Sequence, residues 1–173
     1  MQGLVHIYCG DGKGKTTAAV GLAVRAAGAG KRVLFTQFFK DGSSSEVDVL
    51  KHIPGVTVQV STEKHGFFFR MDEAGKQRAR EDFSALLESV LETARAGCDL
   101  LILDEAVSCC NHGVIDETRL LDFLKSRPDG LEVVITGRDP SDALLEQADY
   151  VTEMRKLRHP YDKGIAARKG IEY

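Results

Sequence analysis

The stretch Leu4-Val5-His6-Ile7-Tyr8-Cys9-Gly10-Asp11-Gly12-Lys13-Gly14-Lys15-Thr16-Thr17 passes from an apolar run through a glycine-rich loop into an alanine-rich segment beginning at Ala18. It reads as a strand, an anion-cradling loop and a helix. Glycines let successive backbone N–H groups turn inward on an anion, Lys15 supplies a cation at the outer phosphates, and Thr16 offers a hydroxyl to Mg²⁺. The expected ligand is a nucleoside triphosphate, held by Gly10, Asp11, Gly12, Lys13, Gly14, Lys15, Thr16 and Thr17. Spacing separates this loop from the ordinary G-x-x-x-x-G-K-[ST] pattern. The residue five before Gly14 is Cys9, and the nearest glycine, Gly10, makes the loop one residue tighter. A dinucleotide fingerprint starting at Gly10 would require glycine where Lys15 stands.

With 173 residues, 43% of them hydrophobic, the chain fits one domain, residues 1–173, with a substantial core. A formal net charge of −3 gives no global attraction to nucleic acid, and no apolar run nears the roughly 18 residues that span a membrane. Met1-Gln2-Gly3 lacks the cationic start of a signal peptide, so a cytoplasmic location is expected. The four cysteines, Cys9, Cys98, Cys109 and Cys110, form no paired C-x-x-C knuckles, and reduced thiols are expected. Cys109, Cys110 and His112 lack a second ligand pair at zinc spacing, and small buried residues beside a strand end explain them better.

Beyond the loop, helical periodicity runs through Ala18, Leu22 and Arg25 to Ala27 and stops at Gly28 and Gly30. Arg32 to Phe38 reads as a buried strand, completing a βαβ unit. The polar stretch Lys40 to Ser45, whose serines read as a mobile loop, precedes a short helix ending at Pro54-Gly55, and Val56 to Val60 alternates as a strand. Asp72 caps a long helix in which Phe83, Leu86, Leu87, Val90, Leu91 and Ala94 form one apolar stripe, ended by Gly97. Leu100 to Leu103 is a fully apolar strand ending in Asp104-Glu105, followed by a helix through Leu120, Leu121 and Leu124. Val133 to Arg138 gives a strand and loop, Asp142 to Ala148 a helix, and Tyr150 to Met154 the last strand. Strands alternating with helices predict an α/β fold with a mostly parallel sheet flanked by helices.

In open parallel sheets ligands bind beyond the carboxyl ends of the strands, so the glycine loop, Gln37, Asp104-Glu105 and Gly137-Arg138 are expected to converge. A carboxylate after an apolar strand holds Mg²⁺ directly or through water; adjacent side chains diverge, so one of Asp104 and Glu105 suffices. Arg25 and Arg138 are candidates to neutralise phosphate charge. Phe67-Phe68-Phe69 reads as a hydrophobic lid, the alternative being a lone strand that buries Phe67 and Phe69 and leaves Phe68 outside. The basic closing segment, residues 155–173, carries Leu157, Ile165 and Ile171 between glycines, which points to packing back on the domain.

Together, Gly10 to Ala19, Arg25-Ala26-Ala27-Gly28, Gln37-Phe38, Leu103-Asp104-Glu105, Thr136-Gly137-Arg138, Ala148-Asp149, His159-Pro160 and Gly170-Ile171-Glu172 resemble the ATP:corrinoid adenosyltransferases of the CobA/CobO/BtuR type, over nearly the whole chain. The resemblance implies a RecA-like P-loop NTPase fold, commonly a homodimer. It also implies transfer of the 5′-deoxyadenosyl group of ATP to the cobalt of a reduced corrinoid, with release of triphosphate. The nucleotide would lie reversed relative to ordinary P-loop enzymes. By the same resemblance Lys15 stabilises the leaving group, Thr16 and Glu105 hold Mg²⁺, and Arg25 and Arg138 add positive charge. Phe67 and Phe69 would displace the corrinoid's lower axial base, and a flavodoxin or flavin reductase would supply the electron. Where some members carry tryptophan this chain has Phe69, and where others have asparagine it has Asp11. Two other functions use the same loop: a small-molecule kinase or NTPase, and a non-catalytic module in which ATP orders the Ser43 to Glu46 loop.

Overall fold

The structure is a computed structural model that describes residues 2–40, 44–63, 65 and 68–172. Ser43 of the expected mobile loop and Phe67 of the lid lie outside the described residues, whereas Ser44 is buried and Ser45 opens a helix, which corrects the mobile-loop reading for those two. The strands are β1 (Val5–Cys9), β2 (Val33–Gln37), β3 (Val56–Val60), β4 (Leu100–Asp104), β5 (Glu132–Thr136) and β6 (Tyr150–Glu153). The helices are α1 (Lys15–Gly28), α2 (Ser45–Leu50), α3 (Glu73–Gly97), α4 (Ala106–Asn111), α5 (Glu117–Ser126) and α6 (Asp142–Glu146). The sheet runs β3-β2-β4-β5-β1-β6, and every pairing in it is parallel. β1 and β2 therefore belong to a βαβ crossover but are not neighbours, because β4 and β5 fill the gap between them.

The inner strands β2, β4, β5 and β1 divide their side chains between two packed layers, as the period of two requires, whereas edge strand β6 is exposed throughout. On one face Phe35, Leu100, Ile102 and Val134 meet α1 and α2; on the other Ile7, Leu101, Leu103 and Ile135 meet α3 to α6. α1 turns Ala19, Ala23 and Ala26 toward the sheet, and these small side chains bring its axis close to the strands. α3 buries Phe83, Leu87, Val90, Leu91 and Ala94, the expected stripe, and the Asp72 carboxylate caps it by accepting from the Gly75 N–H at 2.7 Å.

Three local expectations change, and one alternative falls. The single helix after Glu105 is two helices, α4 and α5, because Gly113 takes a positive φ of 59° and Asp116 caps a fresh start by accepting from the Thr118 N–H. α2 stops at Leu50 and α6 at Glu146, where i to i−3 bonds tighten the last turns, as in Ile53 N–H to Leu50 O and Ala148 N–H to Leu145 O. In the aromatic run Phe68–Arg70 form a 3-10 turn and Phe68 is buried, where the alternative of a lone strand would leave it outside.

Candidate active site

β1 delivers the glycine loop at its carboxyl end, against the start of the C-terminal segment. Gly10 has a φ of +98°, and a Cβ there would lie 2.6 Å from the Met154 carbonyl oxygen. Any side chain would therefore push the loop away from the residue that follows β6. The Gly12 N–H donates to that same Met154 oxygen at 2.6 Å, so this amide faces β6 and not the cavity. The Lys15 ammonium donates to the Gly10 and Gly12 carbonyls at 2.7 and 2.9 Å. Lys15 is only 8% exposed, and burial pushes its pKa below the usual lysine value, with Glu105 pulling it back up.

The two carboxylates at the end of β4 take different roles. Asp104 is fully buried. Its Oδ2 accepts from Gln37 Nε2 at 2.9 Å and Thr16 Oγ1 at 3.1 Å, and its Oδ1 from Thr136 Oγ1 at 2.7 Å. Burial raises its pKa despite these donors. Glu105 instead lines a cavity of about 300 Å³ together with Lys15, Thr16, Lys40 and Arg138. It adopts a φ of 60°, a left-handed conformation costly for a residue with a side chain. That geometry is held by a relay, the Glu105 N–H donating to Thr136 Oγ1 at 2.9 Å and that hydroxyl to Asp104, while Ser108 Oγ donates to Glu105 Oε2 at 2.7 Å. Phe39 and Asp139 also have positive φ. All three residues stand just beyond strand carboxyl ends, and Glu105 is the one that lines the cavity.

Gly137 has a φ of +150°, and a Cβ there would meet Val107 Cβ at 2.6 Å. The bare backbone lets β5 pass under α4 and brings Arg138 to the cavity, where Asn111 Nδ2 donates to the Arg138 carbonyl at 2.8 Å. Arg25 is elsewhere. It stands ten residues beyond Lys15, about 15 Å along a helix, and lines a separate cavity with Gln2, Lys31, Asp99 and Glu132 at the amino ends of the strands. Within one copy of the chain it does not reach the phosphate loop, which corrects the expectation placed on it.

Sequence reading passed over Lys40 as part of a polar stretch, yet it faces the cavity beside Lys13 and Thr16. The signal was its position just past the end of β2. Gln37 was expected at the site; the structure seals it beneath the site as a partner of Asp104 and, at 3.2 Å, of Glu46. Residues 155–172 are mostly exposed, and His159, Tyr161, Ile165 and Glu172 line the cavity opposite the loop. Phe67 lies outside the described residues, as does the side chain of Phe69. Between them Phe68 anchors the turn, its ring 5.8 Å from that of Phe39 and beneath the Arg80 guanidinium. Among the described residues no group of three or more His, Cys, Asp or Glu side chains is placed to hold a metal ion. Burial pushes the Cys98 and Cys110 thiols up to about 11 and about 12, which keeps them protonated and unreactive at neutral pH.

A parallel sheet with a glycine loop, a lysine, a hydroxyl and a carboxylate meeting beyond its strand ends defines a P-loop nucleotide-binding protein with a RecA-like fold. The family model of "ATP:corrinoid adenosyltransferase BtuR/CobO/CobP" matches residues 1–173, and the chain belongs to that family. It is similar to the corrinoid adenosyltransferase of Escherichia coli strain K12, at 33% identity over 99% of this chain and 86% of that protein. The corrinoid adenosyltransferase of Pseudomonas aeruginosa is 30% identical over 99% of this chain and 84% of its own length. Among solved structures the RadB recombinase superposes with a TM-score of 0.53 at 14% identity, over 92% of this chain and 77% of that one, a likeness of fold alone.

Proposed function

We propose that this protein transfers the 5′-deoxyadenosyl group of ATP to the Co(I) of a reduced corrinoid and releases triphosphate. The observation that carries this reading is the shared cavity of loop, Lys15, Thr16, Glu105 and Arg138 in a chain that matches the adenosyltransferase family from end to end. Co(I) is a strong nucleophile and attacks the ribose 5′-carbon, so charge develops on the departing α-phosphate oxygen. No general base is needed. Lys15 and the loop amides that face the cavity stabilise that charge in a partly desolvated space, and the exposed Arg138 adds positive charge at the cavity wall.

The donor set fits Mg²⁺. Asp104 already accepts from three side chains, which leaves Glu105 as the carboxylate of the β4 end that faces the cavity. The Thr16 hydroxyl, which donates to Asp104, keeps lone pairs for a cation. Hard oxygen ligands completed by phosphate suit that ion, which when bound would neutralise polyphosphate charge. Thr16 and Glu105 are the residues that would hold it. Residues 1–173 act as one domain, with residues 155–173 as a C-terminal segment packing back on it. A homodimer, a flavodoxin or flavin reductase as electron donor, and a cytoplasmic location complete the reading. Among the described residues no helix is long and apolar enough to cross a membrane.

The test is the phosphorus-containing product. Incubation with ATP, Mg²⁺ and chemically reduced cobalamin or cobinamide is expected to give the light-sensitive adenosylated corrinoid and one tripolyphosphate per turnover. ADP as the main product would select phosphoryl transfer instead.

Phe67 and Phe69 serve to expel the lower axial base of the corrinoid, leaving a Co(II) that is easier to reduce. The buried Phe68 supports this by pinning the turn that carries Phe69. Replacing both outer phenylalanines by alanine is expected to slow the reaction from Co(II) at least about tenfold more than the reaction from supplied Co(I). Equal losses from the two starting states would remove that role.

A further inference from the structure

Asp11 places a carboxylate inside a loop whose task is to hold an anion. It lines the cavity with Lys13, Lys15 and Arg138, and the Lys156 N–H holds its carboxyl below the ordinary 3.8, so it is ionised at neutral pH. A negative charge there opposes a polyphosphate. What it gains is structural: its Oδ1 accepts from the Lys156 backbone N–H at 2.9 Å, across 145 residues of chain.

The adjoining bond, from the Gly12 N–H to the Met154 oxygen at 2.6 Å, ties the loop to the residue just before the segment. The Lys156 ammonium in turn pairs with Asp162 at 3.2 Å, just beyond His159 and Tyr161 of the cavity wall. Most of the segment is exposed, so few apolar contacts hold it, and these polar ties decide where it sits.

We propose that Asp11 is a positioning residue with two opposed effects: it latches the C-terminal segment over the phosphate loop, and its charge weakens the loop's grip so that triphosphate leaves. The proposal rests on the adenosyltransferase reading only in taking the loop as the polyphosphate site.

Asp11→Asn keeps a side-chain oxygen for the Lys156 N–H and removes the charge, whereas Asp11→Ala removes both. Two measurements on the full-length protein separate the effects: calorimetric titration with inorganic tripolyphosphate, and hydrogen exchange of the Lys156 amide. Asp11→Asn is expected to bind tripolyphosphate about three- to tenfold more tightly, with exchange at Lys156 within about twofold of wild type. Asp11→Ala is expected to exchange Lys156 about three- to tenfold faster. Unchanged or weaker tripolyphosphate binding by Asp11→Asn would overturn the charge effect, and unchanged exchange in Asp11→Ala would overturn the latch. Either result leaves the adenosyltransferase reading standing. A wild-type protein that binds no tripolyphosphate would overturn the polyphosphate assignment of the loop, and this proposal with it.

Discussion

Lys15→Met is expected to reduce adenosyl transfer at saturating substrate by about 10²- to 10³-fold, the usual cost of removing one preorganised charge stabiliser. The ammonium is held by the Gly10 and Gly12 carbonyls within the loop, which keeps its charge at the cavity wall. Its 8% exposure weakens competition from water, and a charge interaction gains strength as water is excluded. Lys15→Arg is not expected to restore the rate, because a planar fork cannot replace a compact ammonium between two carbonyls in a tight loop. Both variants should keep the wild-type circular dichroism spectrum, since the bonds lost lie in the loop. A Lys15→Met rate within tenfold of wild type would remove the lysine from the leaving-group site.

Asp104→Leu is expected to cost about 3–5 kcal/mol of folding stability, read as a fall in the urea midpoint at an unchanged slope. The carboxylate is fully buried and serves as acceptor for Gln37, Thr16 and Thr136. An apolar replacement strands those donors where water cannot reach them, and stranded groups carry their full desolvation cost. Activity should fall as well, because Thr136 loses the acceptor that orients it toward the Glu105 N–H. Glu105→Gln makes the contrast: its side chain faces the cavity, so a loss of rate with a stability change under about 1 kcal/mol is expected. An Asp104→Leu protein as stable as wild type would mean that the buried network contributes little.

The difference between these neighbouring carboxylates shows where sequence reading runs out. That a strand ends in Asp104-Glu105 follows from four apolar residues and two acids in a row. Which acid turns inward depends on partners at Gln37 and Thr136, 67 and 32 residues away, brought alongside by the registers of β2 and β5 with β4. Arg25 teaches the same lesson in reverse. Its place on a helix after the loop was legible, but the direction of α1 carries it to the opposite end of the strands. The split between α4 and α5 was written in Gly113 and Asp116, a turn residue and a cap that apolar periodicity alone does not weigh.

Local chemistry in the chain was enough for the phosphate loop, for all six strands and for the long capped helix, since glycine spacing, period-two alternation and an i, i+3, i+4 stripe act within a few residues. Family membership could likewise be read from motif order. Strand order, the burial of Asp104, the cavity-facing pose of Glu105, the recruitment of Lys40 and the tie between Asp11 and Lys156 came from the folded molecule. Each depends on residues far apart in sequence meeting at a set register, and only the packing of two helical layers on one parallel sheet specifies that.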